Sequence, residues 1–169
     1  MNRNLLRLLV RAWLLIALSD FTYASFMSTV VYGGTFAKLW QGVASVLLGP
    51  GAMQGGARTV LVGIAMHLSV ALLWTTVFLA IALASPALRR FIATPGGIVA
   101  TAVAYGPIVW LVMSLVVIPT LSGRPPTINY RWWIAIAGHI VAVALPIVAT
   151  IGRGLAREPV VDGAMVSVA

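Results

Sequence analysis

The stretch TVLVGIAMHLSVALLWTTVFLAIALA, residues 59–84, decides the fold class of this chain. It contains no Asp, Glu, Lys or Arg. A helix needs about 20 consecutive, mainly apolar residues to cross a hydrocarbon core of about 30 Å. In lipid the backbone must satisfy its own hydrogen bonds, and a helix does so within one segment. The stretch therefore predicts a transmembrane helix that carries a histidine, His67, inside it.

Three other long stretches are nearly free of charge and predict further spans at about 12–32, 97–119 and 132–151. Of the 169 residues, 61% are hydrophobic and 8% are charged. Soluble domains carry about a quarter charged residues. We therefore predict an all-α integral membrane protein. Its four transmembrane helices form one bundle, in a single domain over 1–154, followed by a flexible cytoplasmic tail over 155–169.

The segment between the first two spans is too short to cross a membrane but has helical periodicity. Its large apolar residues fall on one helical face, and its polar residues fall on the other. The apolar set is Phe36, Leu39, Trp40, Val43 and Leu47, and the polar set is Lys38, Gln41 and Ser45. This pattern predicts a short amphipathic helix over about 35–48, either interfacial or re-entrant. A partly ordered loop is the alternative.

The basic residues predict the orientation of the bundle. Seven of them fall at one end and four at the other: Arg3, Arg7, Arg11, Arg89, Arg90, Arg153 and Arg157 against Lys38, Arg58, Arg124 and Arg131. Cytoplasmic ends carry the excess of positive charge. We therefore expect a multi-pass protein of the bacterial inner membrane, with both termini cytoplasmic and with anionic headgroups at its basic residues. The net charge of +8 is explained in this way, so we predict no nucleic-acid partner. A cleaved signal peptide is the alternative for the first span.

Four polar residues lie within the predicted spans: Asp20, His67, Tyr105 and His139. Ionisable groups are costly in lipid, so we expect each of them to face the bundle interior and find a partner. We estimate the depth of each residue in the membrane by counting helical rise from the non-cytoplasmic end of its span. The two histidines then lie ~12–13 Å deep, and Asp20 and Tyr105 lie ~18–21 Å deep. The sequence therefore predicts a buried polar cluster in two layers.

Three short motifs, MHLSVALLW, VVIPTLSG and GHIVAV, resemble the YagU-type family of small bacterial inner-membrane proteins. The resemblance extends over roughly 63–153. It implies a multi-span inner-membrane protein with a histidine in the second and last spans, where His67 and His139 stand. It implies no reaction.

Three functions fit the predicted cluster. We favour a cluster that organises helix packing through interhelical hydrogen bonds. The first alternative is a relay for protons or small solutes, which would need a homo-oligomer because four spans are few. The second is a haem b or metal site with His67 and His139 as ligands and with Arg58 and Arg131 as anion contacts. The sequence demands no cofactor, and it contains neither H-E-x-x-H nor G-x-S-x-G, so we do not predict an enzyme.

Overall fold

The computed structural model describes residues 3–157, and all regular structure in that range is helical. Four helices are long and apolar enough to cross a membrane, which confirms the predicted number. They are α1 (Arg3–Val31), α3 (Gly56–Ala84), α5 (Pro95–Ser122) and α6 (Tyr130–Ala156). Two shorter α-helices, α2 (Phe36–Leu48) and α4 (Pro86–Phe91), and a 3-10 helix at Pro50–Gln54 complete the helices of residues 3–157.

Side-chain caps set the starts of four helices. Thr35 accepts a hydrogen bond from the backbone N–H of Lys38, and Asn129 accepts two from the first turn of α6. Ser85 and Thr94 cap α4 and α5, and in both helices a proline follows the cap. Short oxygen-bearing side chains satisfy N–H groups that have no partner within a helix, and proline tolerates that position because it has no N–H. Capping side chains, followed in α4 and α5 by a proline, therefore determine where these helices begin.

Three of the long helices contain a wide π-helical turn, at Met27–Val31, Met113–Val117 and His139–Ala144. The second and third each end two residues before a proline, Pro119 or Pro146. Because proline has no backbone N–H, it cannot donate a hydrogen bond to the carbonyl four residues earlier. The backbone hydrogen bonds of the helix therefore rearrange there. π-helical turns inside α-helices often occur at functional sites. The third turn begins at His139, so this irregularity coincides with a predicted site residue.

The long helices alternate in direction. One end of the bundle carries α2 and the loop before α6, and we call it the α2 end. The opposite end carries α4, and we call it the α4 end. Helix α1 packs against α3 and α6, and α5 packs against α6. Ile16, Phe78 and Ile147 are almost fully buried between them.

Helix α2 packs closely against α3, and its buried side combines residues of the predicted apolar and polar faces. Trp40, Gln41 and Ser45 are buried, whereas Phe36 and Leu47 are exposed. Gln41 and Ser45 belong to the predicted polar face, and both lie against the protein, whereas Lys38 of the same face is exposed. Both have partners inside: Gln41 donates to the carbonyl of Gly56, and Ser45 donates to the carbonyl of Gly42. Small and polar residues face the protein because they permit a close approach between helices.

The outward surface of the long helices is apolar. Leu18, Leu61 and Val141 are each 66% exposed. Exposed apolar area on this scale is unfavourable in water and favourable in lipid. The four apolar helices therefore support a helical membrane protein. The predicted tail, 155–169, begins inside a helix, because α6 extends to Ala156. The rest of that prediction, 158–169, lies outside the described residues.

Candidate functional site

A cavity of about 560 Å³ lies among five of the helices, and we call it the central cavity. Each helix contributes to its wall: Asp20 from α1, Val43 from α2, His67 from α3, Trp110 from α5 and His139 from α6. Small-molecule sites in proteins measure about 300–1,000 Å³. The cavity therefore brings three of the four predicted site residues onto one surface of suitable size.

Asp20 and His67 lie close enough to form an ion pair when the imidazole is protonated. The distance from His67 Nδ1 to Asp20 Oδ2 is 3.7 Å, and both side chains are largely buried. This distance permits electrostatic attraction to a protonated ring but is too long for a hydrogen bond. The predicted two-layer arrangement is therefore wrong for Asp20, which lies beside His67. Rise counted along each helix from its own span end misplaced Asp20 because it does not reveal how far α1 and α3 are shifted along one another.

Aromatic rings hold His67 from the α2 side. The His67 ring lies 5.1 Å from the Trp40 ring in edge-to-face geometry. Phe21 of α1 stacks on Trp40 at 4.7 Å with nearly parallel planes, and its ring centre lies 6.4 Å from that of His67. These rings fix the orientation of the imidazole while its Nε2 atom is buried without a hydrogen-bond partner. Helix α2 is thus part of the site as well as of the fold.

His139 is held through its other ring nitrogen. Its Nδ1–H donates to the carbonyl of Ala135, at 2.8 Å, one turn earlier in α6. The carbonyl accepts only, so this contact assigns the proton to Nδ1. The ring also lies 4.7 Å from the Trp110 ring. Both histidines therefore direct Nδ1 towards a protein oxygen and leave Nε2 for other contacts.

Tyr105 is separate from this group. Its hydroxyl donates to the carbonyl of Trp74 at 2.8 Å, and its ring lies 4.9 Å from that of Phe78. It does not contribute to the wall of the central cavity. Its role in the structure is to join α5 to α3, so the predicted four-residue cluster divides into a cavity group and a packing contact.

A second cavity of about 580 Å³ adjoins the first at the α2 end, and we call it the α2-end cavity. Two arginines contribute to its wall, Arg124 and Arg131. Arg131 also lines the central cavity, and its guanidinium lies 4.3 Å from the centre of the Tyr32 ring. Arg58, the other predicted anion contact, is exposed and lines neither cavity.

Sequence reasoning missed three residues of this site: Tyr23 and Arg124 line the cavities, and Trp40 packs against His67. Trp40 was assigned to an apolar helix face, and Arg124 was counted only as part of the charge balance. Tyr23 lines the central cavity from α1 and was not considered. Tyr23 follows Asp20 by one helical turn, and this spacing was a usable signal because residues three apart share a helix face.

The fold and the cavities define a helical membrane protein with an internal polar site. No family model, no curated protein and no solved structure matches the chain. The resemblance to the YagU-type family therefore stays a prediction. In residues 3–157, no three His, Cys, Asp or Glu side chains are grouped closely enough to hold a metal ion.

Proposed function

We propose that this chain is a multi-pass protein of the bacterial inner membrane that binds one small, mainly apolar molecule in the central cavity. The single observation that carries the proposal is a cavity of about 560 Å³ with the Asp20–His67 pair in its wall. Binding sites of this kind combine an apolar lining with a few placed polar groups. Asp20, His67 and His139 provide those groups here.

This proposal departs from the packing role that the sequence favoured. A pair that only joined two helices would be enclosed between them, as the Tyr105 contact is. Asp20 and His67 instead open onto a cavity that three other helices also line. Keeping ionisable groups at such a surface is costly in a membrane, which favours a functional role. The relay hypothesis and the homo-oligomer stay predictions.

Photolabelling tests the proposal. The purified protein in maltoside detergent is irradiated with a decanol that carries a diazirine, and the labelled peptides are identified by mass spectrometry. We expect label on cavity-lining residues such as Met66 and Met113. The double variant Val70→Trp/Met113→Trp narrows the cavity and should remove that label.

The matched control is Leu73→Trp/Leu115→Trp, in the same two helices at exposed positions. It adds the same ring volume outside the cavity and should label like the wild type. Label spread evenly over outward-facing residues in the wild type, or unchanged labelling in the cavity variant, would overturn the proposal.

Haem is a second candidate ligand because of the ring geometry of the histidines. Ligating histidines usually donate their other ring N–H to a carboxylate or a backbone carbonyl. The Nδ1 atoms of His67 and His139 lie beside Asp20 and Ala135 in this way. Two protein ligands suit the axial positions of a haem iron better than the four ligands of structural zinc.

An absorption spectrum tests the haem candidate. Protein from cells supplied with a haem precursor should show a Soret band that is lost in His67→Ala and in His139→Ala. Protein without the band after such growth and after reconstitution with haem excludes this ligand.

The orientation completes the proposal. Of the basic residues described in the structure, Arg3, Arg7, Arg11, Arg89, Arg90 and Arg153 belong to the α4 end. Lys38, Arg58, Arg124 and Arg131 belong to the α2 end. By the positive-inside rule, the α4 end and both termini face the cytoplasm. The exposed apolar residues of α2 would then enter the outer leaflet, as in a re-entrant helix.

A further inference from the structure

We infer that the α2-end cavity binds the anionic head of an amphiphile, a phosphate-type group, while the apolar chain of the same molecule occupies the central cavity. This inference rests on the proposed function, because it assigns the head group of the ligand proposed there. It adds a second site, formed by Arg124 and Arg131, and a chemical class of ligand.

The first argument is unbalanced positive charge. Both arginines line the α2-end cavity, whereas the only carboxylate among residues 3–157 is Asp20, which is paired with His67. Two guanidinium groups therefore approach one cavity with no described carboxylate to neutralise them. Arginine presents five N–H donors in a fork that fits carboxylates and phosphates.

The second argument is the donors that the protein leaves available. Arg124 donates from one Nη atom to Ser45, with 3.1 Å to Oγ and 3.4 Å to the carbonyl oxygen. Arg131 donates from Nε to the hydroxyl of Tyr130 at 3.1 Å. These contacts hold each side chain in place and use only part of its donor capacity.

Neighbouring wall residues also lack partners. Trp110 Nε1, Ser114 Oγ and Trp132 Nε1 are buried without a hydrogen-bond partner, and all three residues line the α2-end cavity. Buried donors without partners are rare and costly. A ligand rich in acceptor oxygens supplies what this wall lacks.

The third argument is that the two cavities lie directly beside each other. Some residues line both of them: Gly42, Val46, Trp110, Ile118, Arg131 and Ala135. A basic chamber thus adjoins a mainly apolar one across a shared wall. An amphiphile has the same division, with an anionic head and an apolar chain.

Competition against the diazirine decanol tests the inference. The competitors are decanol, decyl phosphate and inorganic phosphate, all with the full chain in maltoside detergent. Decyl phosphate should displace the label at a concentration at least about tenfold below that of decanol, since a hydrogen bond to a charged group is worth roughly a tenfold step in affinity or more. Inorganic phosphate should not displace it.

Arginine variants locate the head group. In Arg124→Gln and in Arg131→Gln the advantage of decyl phosphate over decanol should fall to about twofold or less. Arg131→Lys keeps the charge and should retain a preference for decyl phosphate. Arg58→Gln is the matched control, because it removes a positive charge from the same end outside both cavities, and it should keep the full advantage.

The outcomes separate the two proposals. Cavity labelling by the uncharged probe with no advantage for decyl phosphate overturns this inference and leaves the proposed function standing. Absence of cavity labelling in the wild type refutes the proposed function first. If the uncharged probe no longer labels a Gln variant, that variant is misfolded. The comparison is then made in Arg131→Lys. Equal potency of decanol and decyl phosphate in Arg131→Lys overturns the inference.

A further comparison of competitors identifies the source of the ligand. Competition by phosphatidylglycerol as strong as that by decyl phosphate identifies a bilayer lipid, and competition by decyl phosphate alone identifies a single-chain amphiphile. Both results support the inference. Binding of inorganic phosphate that matches decyl phosphate overturns it, because the chain would then contribute nothing.

Discussion

Replacement of Gly63 by alanine should destabilise the protein through the contact between α2 and α3. A Cβ atom at position 63 would lie 2.7 Å from the carbonyl carbon of Trp40 and 3.2 Å from its Cα, with the carbonyl oxygen closer still. All three are backbone atoms of α2, so no rotamer change relieves the overlap. Either the two helices separate or α2 leaves its place beside His67.

The size of the effect follows from the geometry. Overpacking a closely packed contact costs about 1–3 kcal/mol, and a contact between two backbones belongs at the upper end of that range. Alanine in place of a mid-helix glycine returns about 0.5–1 kcal/mol. We therefore expect a net loss of about 1–2.5 kcal/mol. In domains of this size each kcal/mol lowers Tm by about 2–4 °C, so Tm should fall by about 2–10 °C.

Thermal unfolding in detergent, followed by tryptophan fluorescence, measures this change. Gly42→Ala is the matched control, because nothing lies within 4 Å of a Cβ added there, in the middle of α2. Its Tm should stay unchanged or rise, so only the Gly63 variant should show a lowered Tm. Equal stability of Gly63→Ala and the wild type would refute the packing of α2 on α3 and would favour a helix that lies free at the membrane interface.

Two other predictions test the division of the polar residues and the orientation. Tyr105→Phe removes the hydrogen bond to the Trp74 carbonyl and should lower the free energy of unfolding by about 0.6–1.5 kcal/mol, measured by thermal unfolding, while photolabelling of the central cavity stays unchanged. A loss of labelling would contradict the separation of Tyr105 from the cavity group. Because the chain has no cysteine, Ala37→Cys at the α2 end and Ala93→Cys at the α4 end each create a single thiol at an exposed position. In spheroplasts, whose inner membrane is intact, a membrane-impermeant maleimide should label position 37 and not position 93. The reverse pattern would invert the proposed topology.

The number of long helices was predictable because it depends on one-dimensional properties of the chain. A run without charge that exceeds about 20 residues has one stable structure in lipid. The stretch 59–84 falls within α3, and its partners fall within α5 and α6. The first predicted span extends one residue beyond α1, to Tyr32. The caps at Thr35 and Asn129 show why boundaries moved by a few residues, since single side chains decide where a helix begins.

Relative depth was not predictable from the same information. Asp20 was placed below His67 because rise was counted from span ends that charge and aromatic residues defined. The structure puts the two side chains 3.7 Å apart. Depth depends on how long helices shift along one another, and that shift follows from close contacts such as Gly63 with Trp40, which periodicity does not reveal.

The mixed composition of the buried face of α2 has a physical cause that also bears on function. A helix in water buries its largest apolar residues. A helix in lipid gains little by burying leucine, because lipid tails are equally apolar, and it gains more by turning small and polar residues towards protein. Gln41 and Ser45 are buried for this reason, and Ser45 accepts a hydrogen bond from Arg124. The same rotation that buries these polar groups carries Trp40 against His67 and Val46 into both cavities. Helix α2 therefore forms a wall shared by an apolar chamber and a basic one, and a ligand with one apolar and one anionic part is the class that both chambers fit.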